Sequence, residues 1–336
     1  HPNADALNRL IYEFVAAIEK KELELWQQGK RISLELLKNM LTTQENNSSF
    51  ISFFKQEVTN SSLKNSTKRN HLSTLMLLQE FKKDITFSDL TFEFVSSFEY
   101  FLQLKGYHTN TIAKHMKHLK RHVNIAINKE YIEIQKYAFR KYKIKTVENK
   151  HTHLVPEELE KLEKLNLSGR YMKLQKSLDA FLFCCYAGMR YSDFTNLSSE
   201  NIVDINQETW LIYKSVKTGT EVRLPLYLLF AGKGIIILNK YRDNLEGFFR
   251  LRDNSNVNKD LLTLAKLAGL SKNISFHTAR HTNATLLIYN GVSITTVQKL
   301  LGHKSVKTTQ VYTNIMDMTI IHDLEKMKQA TPFAGK

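Results

Sequence analysis

Between residues 143 and 154 the sequence runs KIKTVENKHTHL, a basic stretch with no helical spacing of apolar residues, and it divides the chain into two parts. On its N-terminal side, apolar residues recur at three- and four-residue intervals between polar or glycine breaks. That spacing predicts helices over roughly 49–60, 66–83, 88–106 and 109–130, enough for one all-α domain. An amphipathic helix leads in from Asn8 to about Leu41, with Ile11, Phe14, Val15 and Ile18 on one face. On the C-terminal side Pro156 suits the first turn of a new helix, and helices then alternate with a small β element. TWLIYKSV (209–216) and EVRLPL (221–226) are rich in β-formers, and KTGT between them makes a hairpin with Lys217 at its tip. At 336 residues the chain is long for one core and sufficient for two. The expected fold class is mainly α with a small β-sheet, in two domains.

The formal charge of +15, with a pI near 9.5, points to an acidic polymer or an anionic surface rather than a small neutral substrate. The longest apolar run, FLFCCYAG from Phe181 to Gly188, falls well short of the roughly 18 residues a bilayer crossing needs, so no membrane is expected as a partner. Between Lys105 and Lys150 twelve lysines and arginines stand against three acids, which places nine of the fifteen net charges on one helix and the linker. Lys114, Lys117 and Arg121 stack along one helical face, opposite Ile112, Met116, Leu119 and Val123. A solvated face is the competing reading, but such a face mixes signs, and no acid occurs from Lys105 to Lys129. Lys114, Lys117, Lys120, Arg121, Arg140, Lys141, Lys143 and Lys145 are therefore the candidate contacts to a polyanion. The two cysteines, Cys184 and Cys185, are neighbours in an apolar run and read as buried hydrophobes in a reducing compartment. With charge interleaved through its first helix, the chain shows no signal peptide and is expected to be cytoplasmic.

The stretch SFHTARHT, residues 275–282, crowds His277, Arg280 and His281 into one turn. Ser275 can cap a helix that runs to Gly291, on which 277, 280, 281, 284, 287 and 288 share a face. Since Ala284, Leu287 and Ile288 must face the core, the cationic turn continues a buried stripe and should line a pocket at its edge. The helix N-terminus adds free N–H groups there, so the pocket suits an anion. His277 and His281 have the spacing of a helical zinc pair, but Arg280 between them would repel a dication, and no metal is expected. A core histidine that holds the backbone accounts for His281 alone, not for all three. Further along lie His303 in LGHKS and Tyr312 in TTQVYTNI; upstream, YAGMRYSDF places Arg190 after an apolar helix, with Asp193 three residues on to orient it by a bidentate contact.

Taken in order, Arg190, Lys217, HTARHT, LGHKS and Tyr312 resemble the motifs of the tyrosine recombinases, the phage integrase family, over about 155–325. The helices from 46 to 150 are similar to that family's core-binding domain in architecture. The resemblance implies a two-domain C-shaped clamp: a helical core-binding domain over 46–142, a basic linker over 143–154, and a catalytic domain with a C-terminal tail over 155–336. Residues 1–45 would be a helical lead-in, either the remnant of a connector to an arm-binding domain or the start of a shorter relative that lacks one. It further implies that Tyr312 attacks the scissile phosphate to give a 3′-phosphotyrosyl link, without metal or other cofactor. Arg190 and Arg280 would fork onto the non-bridging oxygens and His303 would bond one of them. His277 would position or deprotonate the tyrosine, Lys217 would protonate the leaving 5′-oxygen, and Asp193 and His281 would support. The implied partners are double-stranded DNA, three further copies in a homotetramer on paired sites assembled from free monomers, and accessory DNA-bending proteins. In such an assembly a tail helix over 316–330, with Met318, Ile321 and Leu324 on one face, would dock on the neighbouring protomer; the competing reading is a helix packed in cis. A type IB topoisomerase would share the chemistry, and a DNA-binding regulator the scaffold; the regulator would need no nucleophile.

Overall fold

The computed structural model describes residues 4–27, 49–148 and 151–312. The chain divides between Glu148 and Asn149 into two compact units, each with its own core.

The first unit contains α1 (Ala4–Gln27), α2 (Phe50–Asn60), α3 (Asn65–Phe81), α4 (Phe92–Leu104) and α5 (Thr109–Asn128). The lead-in helix is described as far as Gln27, with Leu7, Leu10, Ile11 and Phe14 exposed; its expected continuation to Leu41 lies outside the described residues. Polar residues set the helix starts: Ser49 Oγ accepts from Ser52 N at 3.3 Å to cap α2, and Thr91 Oγ1 accepts from Phe94 N at 3.2 Å to cap α4. Phe50 and Phe54, Leu78, Phe98 and Leu102, and the expected α5 stripe of Ile112, Met116, Leu119 and Val123 form the core.

That core also holds imidazoles. His71 of α3 and His115 and His122 of α5 are buried, and His118 is half-buried. Thr74 Oγ1 lies 2.8 Å from both His115 Nδ1 and His118 Nδ1. A hydroxyl has one proton, so with both rings neutral one of these bonds runs from a ring N–H to the oxygen. His122 stacks on Phe54 at 3.7 Å and its Nε2 meets His71 Nδ1 at 3.2 Å.

The basic stretch is not exposed along its whole length. Tyr142 and Ile144 turn inward, the Tyr142 hydroxyl donating to Glu99 at 2.6 Å, while Lys141, Lys143 and Lys145 point out. Asn110 pins Val147 from both sides, donating to its carbonyl at 2.8 Å and accepting from its N–H at 3.0 Å. The cause is the two-residue period of an extended chain, which sets alternate side chains against the helices.

The second unit contains α6 (Pro156–Glu163), α7 (Gln175–Ala187), α8 (Tyr191–Phe194), β1 (Ile202–Ile205), β2 (Glu208–Lys214), β3 (Glu221–Pro225), α9 (Lys233–Lys240), α10 (Leu245–Phe249), α11 (Asn254–Leu267), α12 (Phe276–Tyr289), α13 (Ile294–Leu301) and α14 (Lys307–Gln310). The strands form an antiparallel sheet in the order β1-β2-β3, with Leu211 opposite Ile202 on one side and Leu224 on the other. The hairpin matches the sequence expectation; β1 adds a third strand, too short and too exposed to leave an alternating pattern.

α7 and α12 are buried almost throughout, from Ser177 to Ala187 and from Thr278 to Ile288. Asn283 of α12 locks the pair by donating to the carbonyls of Cys185 at 3.0 Å and Tyr186 at 2.9 Å. These carbonyls stand at the C-terminal end of α7, where the helix leaves acceptors unfilled. Leu154 N donates to Thr282 Oγ1 at 3.0 Å, which fixes the start of the unit to the same helix.

Candidate active site

The pocket is built where three helix ends meet. Ser275 occupies the N-cap of α12 with extended backbone, and Thr278 Oγ1 accepts from its N–H at 3.0 Å. One turn in, Arg280 is 1% exposed, and its guanidinium donates from Nη1 to Gly188 O at 2.8 Å and from Nη2 to Leu301 O at 2.6 Å. Those carbonyls close α7 and α13, so the negative ends of two helix dipoles hold a buried cation. Burial, and then Arg190, lower its pKa to about 10, which leaves it charged at neutral pH. Glycine is required at both closures. Gly188 has φ +68°, and a Cβ there would lie 2.6 Å from Asn283 Oδ1; Gly302 has φ +63°, and its Cβ would lie 2.6 Å from Val222 Cγ2.

Arg190 reaches the pocket from the other side. Its Nη1 donates to Asp193 Oδ2 at 3.4 Å and to Ser215 Oγ at 3.2 Å. The expected bidentate fork is not formed, because Asp193 Oδ1 is taken by Val216 N at 2.9 Å and the Ser215 hydroxyl also donates to the carboxylate. Asp193 therefore joins Arg190 to the root of the hairpin rather than orienting it alone. Lys217 is exposed in the hairpin loop, which Ser215 N closes onto Thr220 O at 2.9 Å. Thr218 Oγ1 donates to Gly302 O at 3.3 Å and so draws the loop toward the turn that carries His303. His303 is buried, with Nδ1 2.9 Å from Thr309 Oγ1, which directs Nε2 elsewhere.

Tyr312 follows α14, its N–H bonded to Thr309 O at 3.0 Å, and is 5% exposed. Its hydroxyl lies 3.0 Å from Nδ1 of His281. The contact expected of His277 is thus made by the second histidine of HTARHT. His277 opens to solvent and packs edge-on against His281 at 4.5 Å. The helical period puts both rings on one face, but His281 sits a turn deeper, where the chain returning from α14 passes.

The charges feel one another. His303 is lowered to about 3 by burial, then by Arg280, Arg190, His277 and Lys217. His277, open to solvent on one side and covered on the other, is lowered by partial desolvation, then by Arg280, Arg190, His151 and Lys217. Burial raises the Tyr312 pKa, while Arg280 and Arg190 oppose that rise. Residues from 190 to 312 thus converge on one electropositive pocket beside a phenol, an arrangement that an arriving phosphate would stabilise. Ser215, Thr309 and His151 belong to the pocket's support and were not singled out from sequence, being a serine at a strand end, a threonine in a polar run and a linker histidine.

In the first unit, Lys117, Arg121, Arg140, Lys141, Lys143 and Lys145 are exposed, and Lys114 and Lys120 are half-buried. Glu57 pairs with Lys129, Glu80 with Lys105 and Glu133 with Lys136. Among the described residues no helix is long and apolar enough to cross a membrane.

Comparison with known proteins matches both units. Residues 153–318 match the phage integrase family and residues 49–144 match the phage integrase SAM-like domain. The tyrosine recombinase XerD of Oceanobacillus iheyensis is 26% identical over 271 residues, covering 74% of this chain and 86% of the relative. A tyrosine recombinase of Pseudothermotoga lettingae is 31% identical over 185 residues, covering 52% of this chain and 60% of the relative. Among solved structures, a lambda integrase tetramer bound to a Holliday junction shares the fold with a TM-score of 0.66 at 19% identity, covering 89% of this chain and 85% of that one. With both units matched and the pocket assembled from the residues that carry the motifs, the chain belongs to the phage integrase family of tyrosine recombinases.

Proposed function

We propose that this protein is a site-specific DNA recombinase that cuts and rejoins DNA through a 3′-phosphotyrosyl intermediate formed on Tyr312. The observation that carries the reading is the meeting of Tyr312 with Arg190, Arg280, His277 and His303 in one cationic pocket. Attack by Oη on phosphorus builds negative charge on the non-bridging oxygens. Arg190 and Arg280, each with N–H groups beyond those already bonded, offset it, and His303 donates to it. Lys217, on an exposed loop tethered beside His303, supplies the proton to the departing 5′-oxygen. The phosphotyrosyl bond conserves the energy of the phosphodiester, so religation to a second strand needs no cofactor.

Double-stranded DNA is the substrate. The cations of α5 and of residues 140–145 contact its phosphates, and α12 presents the catalytic turn to the scissile one. Lambda integrase is known as a tetramer on a Holliday junction; for this chain we propose a free monomer that forms a tetramer on paired sites, with accessory DNA-bending proteins where the sites require them. The tail expected to join protomers, residues 316–330, lies outside the described residues.

The test is trapping on a nicked suicide duplex. Wild-type protein should form a denaturation-resistant adduct, in the presence of EDTA as in its absence, and Tyr312→Phe should form none while binding DNA with nearly unchanged affinity. An adduct from the Phe variant would sink the assignment.

A further inference from the structure

His281 is held more elaborately than a supporting residue requires. Its ring is 8% exposed and contacts three others: His151 stacks on it at 4.4 Å and 27°, His277 meets it edge-on at 4.5 Å and 80°, and Tyr312 lies tilted at 5.6 Å. These contacts aim Nδ1 at the Tyr312 hydroxyl, 3.0 Å away. Burial, followed by His277, His151, Arg280 and His153, keeps the imidazole uncharged, with its pKa at about 3. Burial likewise keeps the phenol protonated. When the neutral imidazole carries its proton on Nε2, the protonated phenol donates to Nδ1.

We propose that His281 is a catalytic residue, the proton acceptor for the nucleophile. As the Tyr312 Oη–phosphorus bond forms, the phenolic proton passes to His281 Nδ1; the bond from phosphorus to the 5′-oxygen breaks, and that oxygen takes a proton from Lys217. On religation both protons return. The assignment rests on Tyr312 being the nucleophile.

In the free protein the neighbouring cations oppose a positive ring at His281, so the base is weak. A bound phosphate brings negative charge among Arg190, Arg280 and His277, which cancels much of that opposition and raises the basicity of Nδ1 when substrate is present. The tyrosine is thereby activated on DNA and left inert off it. His151 gives the arrangement a second input, because the residue that stacks on the base belongs to the segment entering this unit from the basic linker.

The experiment is single-turnover adduct formation on a nicked suicide duplex from pH 6 to 9.5, with wild type, His281→Ala, His281→Asn and Tyr312→Phe, each checked for DNA affinity. Asn offers an acceptor oxygen near the position of Nδ1 but cannot hold a proton. Both His281 variants should be slowed on the order of 10²-fold at neutral pH. Their rates should climb with pH as the phenol loses its proton without help, and added imidazole should accelerate His281→Ala. An Ala variant as fast as wild type or faster would overturn the proposal and make the contact a restraint on the tyrosine. An Asn variant at the wild-type rate would also overturn it, and decides the matter if the Ala variant fails to fold. An adduct from Tyr312→Phe, or none from wild type, would instead refute the nucleophile assignment.

Discussion

Arg280 serves structure and chemistry with one guanidinium. Two of its five N–H groups go to the carbonyls that end α7 and α13, and only what remains can meet a phosphate. Replacement by Ala removes the transition-state contact and also leaves two buried carbonyls without their donor. Cleavage should fall by roughly two to three orders of magnitude, and the lost hydrogen bonds should lower Tm as well. Lysine should rescue neither property, since one ammonium cannot span Gly188 O, Leu301 O and a phosphate oxygen together. Single-turnover cleavage and thermal melting of Arg280→Lys test this; a variant matching wild type in both would show that the fork is not used. Arg190, Lys217, His277, Arg280, His303 and Tyr312 stand out in the sequence because each lies in a motif whose order and spacing are distinctive, whereas Ser215, Thr309 and His151 do not. The contacts were not legible there. That Asp193 is shared with Val216 N and Ser215, or that His281 rather than His277 meets the tyrosine, depends on how the hairpin and α14 fold back, which local periodicity does not encode.

α5 shows how one helix can carry two incompatible faces. Its outward cations follow directly from the one-sided charge run, and its apolar stripe from the helical period. The imidazoles at 115, 118 and 122 fall between these and look like part of the basic face in sequence, yet the packing against α3 draws them inward and keeps them neutral. Burial lowers His115 and His118 to about 4 and His122 to about 3, and lowers His71 as well, with Lys114 or Arg121 adding to the effect in each case. Among the described residues His122 Nδ1 has no hydrogen-bond partner. All four folded-state values lie below the unfolded one, 6.5, so below that pH the unfolded chain binds more protons. The stability is present in full above about pH 6.5 and is lost progressively as pH falls toward 4, on the order of a few kcal/mol for the group. In urea melts of the whole protein the transition assigned to this unit should move to lower denaturant between pH 7 and 5, and His122→Phe should reduce the shift. An unchanged midpoint would mean that the histidines are not buried in solution. At neutral pH, Lys117→Ala and Arg121→Ala should each flatten the slope of log K against log salt by about 0.9 for all sequences alike; unchanged slopes would return this face to solvent.

For the molecule as a whole, the division into a helical unit and a mixed unit was readable from the basic stretch at 143–154, because its apolar residues lack the helical spacing of the segments on either side, although Ile144 packs against the first core and Leu154 is buried in the second. Its exact edge was not, since Tyr142, Ile144 and Val147 are held by the first unit through contacts that only the folded helices provide. Strand exchange needs one tyrosine for each strand cut, hence four protomers on two duplexes. If residues 316–330 join those protomers, removing the chain after 316 should leave single-site binding near normal while tetramer formation and recombination fail together, as read by analytical ultracentrifugation with DNA and by junction sequencing. A truncated protein that still assembled and recombined would dismiss that role for the tail. All of this depends on where the covalent bond forms. The most direct measurement is to trap wild-type protein on a suicide duplex, digest the adduct and identify the DNA-linked peptide by mass spectrometry. The expected result is a nucleotide on Tyr312 joined through a 3′-phosphate; a link to any other residue, or through a 5′-phosphate, would contradict it.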